Sequence, residues 1–224
     1  MTMPRVFVLE DYEKWLDAML KERPLEEAMS LAVGGSYDAI GEREAELLTS
    51  VGLRNGMSVL DLGCGSGRCA SQLGKKLPAV NYIGIDILQR LLDYAATKCP
   101  SHFRFICHHG VDIPLSDRTI DVAAAFSLFT HLQHEETFCY LQELRRVLKP
   151  NGILVASFLE FAREDHWSEF EAIVTARKLN AGTPLNMFIE EAVLRLWAAK
   201  IGFTIERIDR ADPIGQTVAF LQVR

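Results

Sequence analysis

The stretch Val59-Leu60-Asp61-Leu62-Gly63-Cys64-Gly65-Ser66-Gly67-Arg68 decides the fold. Met57 to Leu62 is a short apolar run and reads as a buried strand. It enters a loop with glycine at every second position, and a helix from Arg68 to Leu77 leaves that loop, stopped by Pro78. Glycine tolerates positive φ and lets backbone N–H groups come close to a ligand. The start of the helix adds a partial positive charge suited to an anion. The next strand, Asn81 to Ile85, ends at Asp86, where an acid grips a ribose diol in open α/β folds. Strand, glycine loop, helix and acid in this order are far more specific than the glycines alone.

Outward from this core the pattern alternates between strands and helices. A helix is expected from Leu88 to Lys98, a strand from Phe103 to Cys107 and another from Ile120 to Ser127. Glu135 to Leu148 reads as a helix closed by Lys149-Pro150-Asn151-Gly152, and Ile153 to Phe158 as the next strand. Continuous apolar strands separated by helices indicate a parallel sheet covered on both faces. Residues 159–186 carry no clear pattern. A helix from Ile189 to Ile201, closed by Gly202, then leads to strands Phe203 to Ile208 and Thr217 to Val223, with a connection short enough for an antiparallel pair. Upstream, helices are expected over Glu10 to Ala32, broken at Pro24, and over Ile40 to Val51. The expected division is a helical cover segment, 1–52, and a cofactor-binding domain, 53–224.

Composition narrows the class. Of 224 residues, 49% are hydrophobic and 24% charged, which excludes disordered and collagen-like chains. The net charge of −6 sits entirely in residues 1–50, so no basic face for nucleic acid is expected. The five cysteines, Cys64, Cys69, Cys99, Cys107 and Cys139, form no C-x-x-C pair and read as reduced core residues of a cytoplasmic protein. No apolar run reaches the ~18 residues of a membrane span, and neither a signal-peptide core nor a metal-binding spacing such as H-E-x-x-H occurs.

Two cofactor classes share the strand–loop–helix geometry. A dinucleotide fold wants G-x-G-x-x-G, whereas here Gly63, Gly65 and Gly67 follow G-x-G-x-G. This first motif resembles that of class I S-adenosylmethionine-dependent methyltransferases, of the bacterial small-molecule type, almost letter for letter. Ile83-Gly84-Ile85-Asp86-Ile87 resembles their second-strand acid motif. Ile113-Pro114-Leu115-Ser116-Asp117 with Ile120-Asp121-Val122 resembles the approach to the fourth strand, and Leu141 to Gly152 the helix and turn before the fifth, with Asn151 where glycine is usual. The similarity runs from Leu53 to Phe158, more loosely from Trp197 to Val223, and Val33 to Gly41 is similar to the family's lead-in. It implies a three-layer α/β/α Rossmann-like sandwich with a seven-stranded, mostly parallel sheet whose last strand is antiparallel. It also implies S-adenosylmethionine as cofactor and a small-molecule methyl acceptor, in a monomer or homodimer. A non-catalytic cofactor-binding or scaffold protein on the same fold, and a nicotinamide-dependent oxidoreductase, stay open.

The resemblance assigns the cofactor to Asp61, Gly63, Cys64, Gly65, Gly67, Arg68, Asp86, Ile87, Gly110 and Ser127, with Tyr37 in the covering segment. Asp61 is expected to brace the loop through its backbone N–H groups. Arg68 is placed either on the methionine carboxylate or on the surface. The family's usual adenine-binding Asp falls on His109, so an imidazole acceptor or the backbone near Gly110 and Val111 would read the adenine. His131, after the fourth strand, is the candidate catalytic base; the alternative is a histidine that caps the following helix. His166 is a weaker candidate.

Overall fold

The computed structural model describes residues 9–179 and 186–224. Helices α1 (Leu9–Glu22), α2 (Leu25–Leu31) and α3 (Tyr37–Ser50) precede the alternating units. These are β1 (Ser58–Leu62), α4 (Arg68–Lys76), β2 (Asn81–Asp86), α5 (Gln89–Lys98), β3 (Arg104–Cys107) and β4 (Ile120–Ala125). A 3₁₀ turn (Phe129–His131), α6 (His134–Val147), β5 (Leu148–Phe158), α7 (Glu164–Lys178), α8 (Glu191–Ile201), β6 (Phe203–Asp209) and β7 (Thr217–Val223) complete the chain.

The seven strands form one sheet in the order β3-β2-β1-β4-β5-β7-β6. β1 to β5 run parallel, with Asp61 beside Gly84 of β2 and Ala124 of β4. β7 inserts antiparallel between β5 and β6, with Ser157 paired to Val218, as the expected antiparallel ending requires. The chain moves outward one way through β1, β2 and β3 and then returns to β4 on the other side of β1. That reversal leaves a crevice at the carboxyl ends of β1 and β4, the position where open α/β sheets bind ligands.

Alternation along each strand builds two cores. Leu60, Leu62, Ala123, Ala125, Leu154 and Ala156 face α6 and α8, packing on Leu141, Leu144, Leu194 and Ala198. Val59, Val122, Ala124, Val155 and Val218 face the other way, onto Ala45, Leu47 and Leu48 of α3 and Ala70 and Leu73 of α4. A third, smaller cluster joins Leu16 of α1 and Met29 of α2 to Leu88, Leu91 and Tyr94 at α5. Thus α3 is a full member of a core layer, whereas α1 and α2 lie outside the three layers.

The patternless region contains α7. Only His166 of this helix is buried. Its Trp167 and Phe170 pack on Phe161 and Phe188, the last two stacked with ring centroids 4.4 Å apart, rather than on the sheet. The helix therefore shows no continuous apolar stripe to read. β5 begins five residues earlier than expected because Leu148 already pairs with Ile120, and the strand then bulges through Lys149-Pro150-Asn151-Gly152 before Ile153 pairs with Val122. Asn151 there adopts φ +63°, which asparagine tolerates better than most residues. Among the described residues no helix is long and apolar enough to cross a membrane.

Candidate cofactor and acceptor site

The glycine loop is shaped by backbone bonds to the next strand. Gly63 and Cys64 both donate N–H to the Ile85 carbonyl, at 2.8 and 3.1 Å. Gly63, Gly65 and Gly67 have φ of +76°, +54° and +83°. A Cβ at Gly65 would lie 2.5 Å from Val33 Cγ1, and one at Gly67 2.7 Å from Ala95 Cβ. The loop has room for no side chain at either position, which brings its backbone to the surface of the crevice.

Asp86 completes the turn. Its Oδ2 accepts the Gly65 N–H at 2.9 Å and its Oδ1 the Leu88 N–H at 3.0 Å. A carboxylate offers about four lone-pair sites, so it keeps accepting capacity for a ligand hydroxyl. Burial pushes the Asp86 carboxyl upward, while the N–H groups of Leu88, Gly65 and Ile87 pull it back.

Asp61 does not brace the loop N–H groups as expected, since those of Gly63 and Cys64 go to Ile85, that of Gly65 to Asp86 and that of Gly67 to the Cys64 carbonyl. It accepts a hydrogen bond from the Tyr82 hydroxyl on the neighbouring strand, at 2.6 Å. Burial raises its pKa from 3.8 to about 7, with the Tyr82 bond opposing. A raised carboxyl holds its proton more tightly in the folded protein than in the unfolded chain. Its contribution is full below pH ~4 and is lost as pH rises through about 7. Wild type should therefore lose stability relative to Asp61→Asn between those pH values, by a few kcal/mol. Urea unfolding of both proteins across that range checks this; parallel stability curves would refute it.

Arg68 is not on the surface, and three of its five N–H donors are taken within the protein. Its Nε lies 3.2 Å from Glu44 Oε2, its Nη2 donates to Glu44 Oε1, and its Nη1 donates to the Val33 carbonyl. Glu44 is 2% exposed and Arg68 8%, so this ion pair is buried. Burial pushes the Glu44 carboxyl up, and Arg68 opposes it. The segment before α3 clamps the loop from the same side: Ser66 Oγ donates to the Met29 carbonyl at 2.8 Å, and the Tyr37 hydroxyl to the Ser66 carbonyl at 2.7 Å. Tyr37 thus grips the loop from behind and does not line the crevice.

A cavity of about 830 Å³ runs along this crevice. Gly63, Cys64, Gly65, Asp61, Asp86 and Ile87 line it near β1 and β2. Ser127, His131, Gln133 and Gln216 line it on the β4 and β7 side, and Tyr12 and Trp15 come from α1. Ser127 holds a positive φ of +54°, its N–H donating to Ser157 Oγ at 2.7 Å. His131 meets the Tyr12 ring edge-on, centroids 5.4 Å apart. It does not cap α6. Gln133 occupies that position, its N–H donating to Glu136 Oε2 at 2.8 Å.

His109 and Gly110 lie outside the cavity lining. The exposed His109 ring sits 2.8 Å from the Ile87 carbonyl, so Nε2 carries the proton and donates there. The Gly110 carbonyl accepts from the Tyr140 hydroxyl at 2.8 Å, and Tyr140 is the residue of this pair that reaches the cavity. His166 is also turned away, accepting the Glu160 N–H on Nδ1 at 2.9 Å beneath the β6–β7 hairpin. Glu44, Tyr12 and Gln216 each come from a segment far from the glycine motif, with nothing local in the sequence to mark them.

Residues 59–152 match the sequence model of a family described as a methyltransferase domain. The chain is 30% identical over 128 residues to a sterol 24-C-methyltransferase of Gibberella zeae, covering 54% of this chain and 33% of that one. It is 31% identical over 122 residues to a 2-phytyl-1,4-naphtoquinone methyltransferase of Trichormus variabilis, covering 51% of each. It spans about a third to a half of the length of these relatives. A magnesium protoporphyrin IX methyltransferase of Synechocystis, solved with bound SAH, superimposes with a TM-score of 0.72 over 97% of this chain and 98% of its own, at 16% identity.

Proposed function

We propose, from the premise that residues 59–152 belong to the methyltransferase domain family, that this protein moves a methyl group from S-adenosylmethionine to a small-molecule acceptor. The observation that carries the reading is one continuous cavity joining the glycine loop and Asp86 to His131 and Gln216. The residues present fit the cofactor: a glycine loop whose backbone reaches the crevice, a carboxylate with lone-pair capacity to spare, and a crevice at the strand ends. When bound, S-adenosylmethionine supplies an electrophilic methyl group on a sulfonium leaving group.

The protein's share is to bind and align. Asp86 accepts the ribose hydroxyls, the backbone of Gly63 to Gly67 and Ile87 flank the cofactor, and Ser127 meets it from the end of β4. Holding two reactants in line supplies most of the acceleration such a reaction needs. For a hydroxyl acceptor, His131 takes the proton as the oxygen attacks. Tyr12, edge-on to His131, limits how that ring can turn. The relatives named for a sterol and a naphthoquinone support an acceptor with an apolar body, and the aromatic rings of Tyr12, Trp15 and Phe126 on the cavity wall support the same. The five free cysteines support a reducing, cytoplasmic setting.

The test is incubation of the protein with metabolite extract and S-adenosylmethionine labelled in its methyl group. Label in a small molecule supports the reading. Binding of S-adenosylhomocysteine without any transfer would favour a non-catalytic binder, and copurified nicotinamide nucleotide an oxidoreductase.

The covering role belongs, in this reading, to α1 and α2, because α3 is locked into a core layer. Amide exchange in α1, near Tyr12, should slow several-fold when S-adenosylhomocysteine binds, since local opening is then suppressed. Equal exchange with and without ligand would make these helices a fixed appendage.

A further inference from the structure

The polar groups on the β4–β7 side of the cavity are donors in excess. Ser157 is fully buried, and its Oγ already accepts the Ser127 N–H, so its own proton goes to Gln216 Oε1, 2.6 Å away. That fixes the Gln216 amide, whose Nε2 donates to Ser127 Oγ at 3.1 Å. Among the described residues the Ser127 hydroxyl proton then has no acceptor, and it is left for the cavity that Ser127 lines. Gln216 keeps a second N–H in the same place.

Charge accounting points the same way. The cavity is lined by Glu44, Asp61, Asp86, Arg68 and Arg177. Arg68 is consumed by Glu44, Asp61 accepts from Tyr82, and Asp86 accepts two loop N–H groups. Arg177, in the last turn of α7, is the one lining cation with no ion-pair or hydrogen-bond partner among the described residues. It stands in a chain of net charge −6, so a general attraction for anions does not account for it. Asn186, also on the lining, places this end beside the 3₁₀ turn, because the N–H of the next residue, Met187, donates to the Thr130 carbonyl at 2.7 Å.

We propose that the methyl acceptor carries one carboxylate on an apolar, aromatic-sized body, with Arg177 pairing its charge and the Ser127 hydroxyl and Gln216 amide donating to its oxygens. This rests on the methyltransferase reading above. A carboxylate accepts only, which matches a pole of donors. Its single charge matches one guanidinium, whose planar fork suits two oxygens. A doubly charged phosphate would leave one charge unmatched in a cavity that already holds three carboxyl groups.

The probe pair is 2-naphthoate and the neutral 2-naphthamide, titrated into protein saturated with S-adenosylhomocysteine and followed by ligand-observed NMR. Naphthoate should bind about tenfold to a hundredfold more tightly than the amide. Arg177→Met should remove that preference while leaving amide binding and S-adenosylhomocysteine affinity as in wild type. Equal binding of the two probes, or an unchanged preference in Arg177→Met, overturns the proposal. So does an equal loss of S-adenosylhomocysteine affinity in that variant, since Arg177 would then read the cofactor's own carboxylate. Failure of S-adenosylhomocysteine to bind wild type would instead overturn the methyltransferase reading itself, and this proposal with it.

Discussion

Replacement of Arg68 by alanine is expected to cost about 3–5 kcal/mol of folding stability, because it strands the Glu44 carboxyl without a partner inside the protein. Glu44 is 2% exposed, and Arg68 is its hydrogen-bonding partner on both oxygens. The same change removes the donor to the carbonyl of Val33, the residue whose side chain packs over Gly65. Glu44→Gln added to Arg68→Ala should recover part of the loss, since a neutral amide is cheaper to bury than a charge. Arg68→Lys should not restore full stability, because an ammonium cannot reproduce the two-pronged geometry. Urea unfolding gives all these values. A loss below about 1 kcal/mol in Arg68→Ala would place the pair among ordinary surface ion pairs.

His131→Ala should lower turnover on a hydroxyl acceptor by roughly 10²–10⁴. The side chain lines the cavity after β4, and Gln133 rather than His131 is the N-cap residue of α6. S-adenosylhomocysteine affinity should stay within about twofold of wild type, as a loss confined to the chemical step requires. Steady-state kinetics with a calorimetric check on cofactor affinity separates the two effects. Normal turnover would point to an acceptor that needs no base. A parallel fall in cofactor affinity would make His131 part of the cofactor pocket.

The fold was legible because its signals are local. A glycine loop between strand and helix, an acid at the next strand end and unbroken apolar strands each lie within a few residues, and together they imply the sheet that is observed. The helix α7 is hidden because its Trp167 and Phe170 pack on Phe161 and Phe188 near the surface rather than on the sheet, and a helix with one buried position leaves no periodic trace. At the site, the glycines and Asp86 were readable from spacing, but their partners were not. Arg68 could be placed on a helix start, yet its partner Glu44 lies 24 residues upstream on a helix that only the fold brings alongside. The sequence places Asp61 under the loop, whereas the competing donor, Tyr82, is set beside it by the register of β1 and β2. The resemblance places His109 at the adenine, whereas its ring bonds the Ile87 carbonyl and lies outside the cavity lining.

The most direct test is calorimetric titration of S-adenosylhomocysteine into wild type and Asp86→Ala. Asp86 shapes the loop through Gly65 and offers the spare lone pairs that the cofactor's ribose would take. The account predicts saturable one-to-one binding to wild type and binding about tenfold to a hundredfold weaker in the variant, with the fold intact by circular dichroism. Equal affinity in the two proteins, or no binding to wild type where a nicotinamide dinucleotide does bind, would contradict it.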